Sequence, residues 1–292
     1  MTAAIDLSEY DVPGRGRGIL DVFRWRYLLR LLVRKGTATR YRNSVLGWTW
    51  SYVKPAAQFV VYYFVMGLIL QGQSRTENFA VYLFAGIVVI NLFNEAFGNA
   101  TTSILANGSL VKKIYLPREL FPIAAIIVAF VHFLPQLAIL LLVCILVGWT
   151  PTLLGVLAVL CGTVLVTTLA LALGLFFSGL NVRFRDAENF VEIIRMFSAW
   201  TSPVLYPWTL VVDAATTYNA PDWILQVYFA NPLTVAVELF HYGMWDPTVE
   251  NSPGLPPGFV ASALIAGGVT LVMLLIGQAV FRRFERSFAQ DL

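Results

Sequence analysis

Several apolar runs in this chain are longer than the roughly 18 residues a helix needs to cross a bilayer, and no other feature limits its fold so tightly. Inside hydrocarbon every backbone polar group must be satisfied within the segment, so such runs are helices. Six spans are expected, at about 54–71, 79–103, 119–147, 152–180, 189–208 and 259–281. Composition agrees: 58% of residues are hydrophobic and 13% charged, whereas soluble domains have about 45–50% and about 25%. The length of 292 residues would suit about two soluble domains, but the spans make 40–292 one all-α membrane domain. Cys144 and Cys161 both sit inside apolar runs, which suits buried packing and indicates neither a disulfide framework nor a metal site.

The segments outside the spans differ in kind. Residues 1–18 are polar, carry Pro13 and alternate Gly with Arg, and read as a loose tail without a cleavable signal peptide. Residues 19–39 have a helical pattern in which Arg26, Arg30 and Arg34 recur every four positions. Phe23, Leu28, Leu31 and Leu32 help to form the apolar side. With Trp25 and Tyr27 this suits an amphipathic helix in the membrane interface; the bland alternative is an ordinary helix packed on a partner. Gly148 to Pro151 make a tight turn, so spans three and four form a hairpin. The connection 209–258 has moderately apolar stretches near 222–229 and 233–245. It reads either as re-entrant external helices between spans five and six or as a small folded cap outside the membrane.

Basic residues orient the spans. Ten of the twenty Lys and Arg lie at or before Lys54. Lys112, Lys113 and Arg118 sit in the second connection, Arg183, Arg185 and Arg195 around the fourth, and Arg282, Arg283 and Arg286 after the last span. That places nineteen of twenty on one side, with only Arg75 opposite. By the positive-inside rule both termini are cytoplasmic.

The signatures of chemistry are mostly missing. His132 and His241 have no ligand-spaced neighbours, and no G-x-x-x-x-G-K-[ST] phosphate loop exists. If ATP drives this protein, another chain binds it. No nucleophile elbow is present, and no nucleic acid is expected as a partner. In span two Asn91, Asn94, Glu95, Asn99 and Thr102 share one side. An ionisable group at that depth marks a pathway or a hydrogen bond between packed helices, and both readings stand. So thin an inventory argues against ion coupling, as does the lack of matching broken helices in the two halves. Phe59, Tyr62 and Tyr63 in span one, and Phe197 and Trp200 in span five, offer aromatic faces on which sugar rings stack. They are candidate channel-lining residues together with Asn94 and Glu95; core or lipid-facing packing is the plain alternative. Two cytoplasmic loops stand out, 104–118, ending near Pro117, and 181–188, with solvated charge or partner docking as their readings.

Certain fragments are familiar in order. RYRNSVLGWTW at 40–50 followed by Pro55, KIYLP at 113–117, NVRFRDAE at 181–188, SPVLY at 202–206, and NPLT at 231–234 with Glu238 resemble the permeases of ABC-2 type polysaccharide exporters. The resemblance covers 20–290 and departs at His241, where such permeases commonly carry Arg.

The resemblance implies a homodimer joined to two copies of an ATP-binding, P-loop subunit, with ATP and Mg on that partner and no cofactor in this chain. It implies export of a polyprenyl-diphosphate-linked polysaccharide, a cell-wall galactan or O-antigen, across the plasma (inner) membrane, with membrane lipids around the chain. Residues 104–118 would be the coupling loop, with Asn107, Lys112, Lys113, Tyr115 and Arg118 as docking candidates. Arg42, Arg183 and Arg185 are candidates for the lipid-diphosphate entrance, because guanidinium groups suit bidentate phosphate contacts. Their alternative role is orientation alone. A membrane-embedded enzyme acting on lipid-linked glycans is the other class, with Asp186 and Glu188 as its nearest acidic pair.

Overall fold

The computed structural model describes residues 22, 24–40, 47–113 and 116–292, and every regular element among them is helical. The tail at 1–18, Arg42, Tyr115 and residues 41–46 of the 40–50 motif lie outside the described residues.

Helix α1 spans Arg26–Arg40, α2 Trp50–Tyr62 and the short α3 Gly72–Arg75. A wider π-helical stretch, Tyr63–Ile69, extends α2 to 20 residues. Helix α4 is Phe79–Ala106, α5 Gly108–Lys113, α6 Leu120–Leu146 and α7 Leu153–Arg183. Then come α8 Ala187–Ser198, α9 Trp208–Thr217, α10 Asp222–Ala230 and α11 Pro232–Phe240. The long α12 is Phe259–Glu285, and α13, Phe288–Asp291, ends the chain. Among the described residues five helices, the extended α2 with α4, α6, α7 and α12, are long and apolar enough to cross a membrane. Between α6 and α7 the chain turns at Gly148, whose φ of +92° favours a residue without a side chain.

The expected fifth span is corrected here. Instead of one helix over 189–208, α8 stops at Ser198 after 12 residues, rising about 18 Å against a hydrocarbon core of about 30 Å. Hydropathy averages over the region, but Pro203 and Pro207 cannot continue a helix, and 199–206 is a run of turns. Helices α10 and α11 match the two apolar stretches expected in the external connection and meet at a 66° bend.

Helix direction shows what the broken region accomplishes. Gly277 of α12 lies against Ala172 of α7, and Phe281 against Gly179, so the two helices run parallel. A chain leaving the end of α7 must therefore return across the full height of the bundle before α12 begins. Residues 184–258 make that return in pieces, so the bundle is traversed six times with only five continuous helices.

Helix α4 is the axis. Its most apolar 18-residue window is 72% buried, against 11% for those of α2 and α12, so α2 and α12 keep apolar faces for lipid or another chain. Close approach depends on small residues, as expected where helices pack without a hydrophobic drive. A Cβ added at Gly277 would collide with the Ala172 carbonyl oxygen. Helix α1 packs on α6: Leu32 is buried, Gly36 faces Val128, and Arg26, Arg30 and Arg34 are exposed. Phe288 of α13 is buried against Phe281, with ring centroids 5.5 Å apart.

Candidate functional site

The polar residues of α4 recur at three- and four-residue intervals, so they share one face, and that face borders a cleft. The cleft, about 260 Å³, is lined by Asn91, Asn94, Glu95 and Asn99 of α4, with Lys54 and Gln58 of α2, Gln136 of α6 and Arg195 of α8 among its other residues. Arg195 lies about 12 Å along α8 from its start, so the cleft reaches into the helix bundle. Insertion scales put a centred Arg or Lys at a cost of about 2.5–3.5 kcal/mol.

The carboxylate and amides are engaged. His132 Nδ1 of α6 is 2.5 Å from Glu95 Oε1. Asn91 Nδ2 donates to Gln136 Oε1 at 3.4 Å, and Gln136 Nε2 to the His132 carbonyl at 3.2 Å. Ser198 Oγ donates to Asn94 Oδ1 at 3.1 Å. These bonds join α4 to α6 and α8 across the cleft floor. The cations differ: among the described residues, neither Lys54 nor the Arg195 guanidinium has a hydrogen-bond or ion-pair partner, and Arg195 Nε is buried. Gly98 makes room for the guanidinium, for an added Cβ there would stand 2.8 Å from Arg195 Nη1.

Two further clefts adjoin. One of about 500 Å³, between α1, α4 and α6, shares Asn99 and is bordered by Lys35, Thr39, Thr102 and Asn107. In it Lys35 Nζ donates to Asn107 Oδ1 at 2.9 Å, tying α1 to the residue before α5. The other, about 210 Å³ and mostly apolar, shares Pro55 and Gln136 and includes Phe59 and Phe84. Polar surface therefore runs from α1 to mid-bundle and passes into an aromatic recess.

Residues 27–245 match the family model for ABC-2 type transporters. The chain belongs to the ABC-2 type transporter family. It is 25% identical to the O-antigen export system permease protein RfbA of Klebsiella pneumoniae, over 91% of this chain and 95% of that protein. It is 24% identical to the protein of that name from Myxococcus xanthus, over 94% and 99%. It is 22% identical to the polysialic acid transport protein KpsM of Escherichia coli, over 85% and 90%.

In this ABC-2 transporter the residues singled out from sequence fall in separate places. Asn94 and Glu95 line the polar cleft and Phe59 the aromatic recess, where its ring meets Phe84 edge-on at 5.4 Å and stacks on Tyr63 at 5.7 Å. Tyr63 and Tyr62 are half-buried against the core, while Phe197 and Trp200, each 51% exposed, face away from it. Lys112 and Lys113 are exposed at the end of α5. Arg118 turns instead to the C-terminus, donating to the Glu285 carbonyl with its guanidinium 5.6 Å from the Phe288 ring centroid. Arg183 and Arg185 are exposed beyond the reach of the cleft, as are Asp186 and Glu188.

Sequence reasoning counted Lys54 and Arg195 only as orienting charges and passed over Gln58 and Gln136. A signal existed: Gln136 follows His132 by four residues in a strongly apolar run, one turn along the same face. At the other end of α4, His241 is 2% exposed. Its ring stacks on Tyr82 at 3.8 Å, its Nε2 is 3.1 Å from the Tyr82 carbonyl, and its Nδ1 is 3.6 Å from Glu238. This clasp fixes α11 to α4.

Proposed function

We propose that this chain is the transmembrane subunit of an ATP-driven exporter moving a polyprenyl-diphosphate-linked polysaccharide, of galactan or O-antigen type, across the plasma membrane. One observation carries the reading: the chain resembles O-antigen export permeases over 91% and 94% of its length. A deep cleft with cationic and amide walls is the kind of feature such a cargo needs.

The remaining parts fit this frame. ATP and Mg belong to a separate P-loop subunit, present in two copies, since this sequence has no phosphate loop. Nineteen of twenty basic residues on one side put both termini in the cytoplasm. Helix α1, with Arg26, Arg30 and Arg34 exposed opposite Leu32, lies along the cytoplasmic interface. The exposed Lys112 and Lys113 of α5 meet the ATPase, and Lys35 passes that contact to α1 through Asn107. Helices α10 and α11, bent by 66°, are re-entrant and close the outer end of the path. The exposed apolar surfaces of α2 and α8 supply the interface with a second copy, and Phe197 and Trp200 line the passage between copies. Arg183 and Arg185 receive the diphosphate at the cytoplasmic mouth.

Reconstitution with the partner ATPase in liposomes tests this. Complex formation, an altered ATPase rate and glycan appearing across the bilayer are expected; no complex and an unchanged rate would refute it.

A further inference from the structure

Two cations face the polar cleft, and among the described residues neither has a counter-ion. Arg195 rests in the saddle that Gly98 leaves open, its Nε buried and without an acceptor. Lys54 is exposed at the mouth of the same cleft. The one carboxylate lining the cleft, Glu95, is 2.5 Å from His132, and no ion pair joins it to Lys54 or Arg195. Gln58, Asn94 and Asn99 add neutral amides to the walls. A guanidinium held inside the bundle with an ammonium at the cleft mouth favours an anion between them, and guanidinium geometry matches phosphate oxygens in pairs. The neighbouring wall is apolar, with Phe59 and Phe84 in the adjoining recess. Phosphate chemistry beside apolar surface describes the head of a lipid better than a free ion.

We infer that the cleft between α2, α4, α6 and α8 is a phosphate site within the membrane, where Lys54 and Arg195 hold the diphosphate of the lipid-linked cargo during its passage. The inference rests on the export reading above and adds to it a second station, deeper than the exposed Arg183 and Arg185. Gly98 is part of the site, because a side chain there would displace the guanidinium.

The test uses the full chain in nanodiscs, with undecaprenyl diphosphate as probe and native mass spectrometry as readout. Arg195→Gln and Lys54→Gln should each weaken binding about tenfold or more, as expected for loss of a charge-assisted hydrogen bond. Arg195→Lys should recover part of the loss, and Arg286→Gln, exposed at the far end of α12, should bind as the parent does. Gly98→Ala, which keeps every charge, should also weaken binding; it covers the case in which Arg195→Gln fails to fold. Unchanged affinity in Arg195→Gln, Lys54→Gln and Gly98→Ala, with export by the parent complex intact, would overturn the site and leave the exporter reading standing. A parent chain that does not bind the lipid would overturn both. Inorganic diphosphate should not compete at equal concentration; competition would reassign the site to a free anion.

Discussion

His132 Nδ1 and Glu95 Oε1 are 2.5 Å apart, joining α6 to α4 beside the polar cleft. His132 is 1% exposed and Glu95 18%, so removing either partner takes away a side-chain contact between the two helices in a largely buried setting. A double-mutant cycle with Glu95→Gln and His132→Leu in detergent should give a coupling energy of about 1–3 kcal/mol. Additive losses would mean that the pair does not hold the helices together.

Gly277 touches backbone and not a side-chain tip, so the contact has no easy way to give. Gly277→Ala should destabilise the bundle by about 1–3 kcal/mol, the range for overpacking. Gly267→Ala on the same helix meets nothing within 4 Å and is the control. Equal unfolding midpoints for the two variants would contradict the parallel α7–α12 contact.

That contact also predicts sidedness. If 184–258 returns the chain across the bundle, Asn219 and Arg286 lie on opposite sides, with Arg183 sharing the side of Arg286. Single cysteines at these positions, in a background with Cys144 and Cys161 replaced by alanine, should react with a membrane-impermeant maleimide accordingly. Labelling of Asn219→Cys and Arg286→Cys from the same face would reduce the traverses to five.

Five of the six spans were legible because hydropathy over about 20 residues is a bulk property that tertiary packing does not reverse. The fifth was not, because Pro203 and Pro207 act locally within a region whose average stays apolar. The polar face of α4 was legible from helical spacing, since Asn91, Glu95 and Asn99 fall one turn apart. Its partners were not: nothing in sequence brings Arg195 to Gly98, 97 positions earlier, and a lone Lys or Arg near a span end looks the same whether it orients a helix or lines a cleft. The docking role of Arg118 rests on the resemblance of its loop to a coupling loop. Only the fold shows the guanidinium turned to Phe288.

The outer clasp makes a fourth prediction. The Tyr82 hydroxyl is 2.7 Å from the Pro203 carbonyl and 2.9 Å from that of Tyr206, so it braces the turns that replace the fifth span. Tyr82→Phe keeps the ring on His241 but removes the donor, leaving buried carbonyl groups short of a partner. A loss of about 1–3 kcal/mol is expected, with protease cleavage rising within 199–206. Unchanged stability and cleavage would show that water satisfies those carbonyls.

Lys112 and Lys113 are exposed while Arg118 is occupied by the chain's own C-terminus, so the three basic residues of one loop should separate by experiment. Charge reversal of both lysines to glutamate should abolish co-purification of the ATPase subunit and leave the unfolding midpoint of this chain unchanged, since neither side chain packs on the bundle. Arg118→Ala should do the reverse in part. It removes a donor to the Glu285 carbonyl and a cation over the Phe288 ring, contacts worth about 1–2 kcal/mol together. The midpoint should therefore fall, while the ATPase still binds because Lys112 and Lys113 remain. Loss of the complex in Arg118→Ala without loss of stability would place Arg118 in the docking surface, against the inward orientation of its guanidinium.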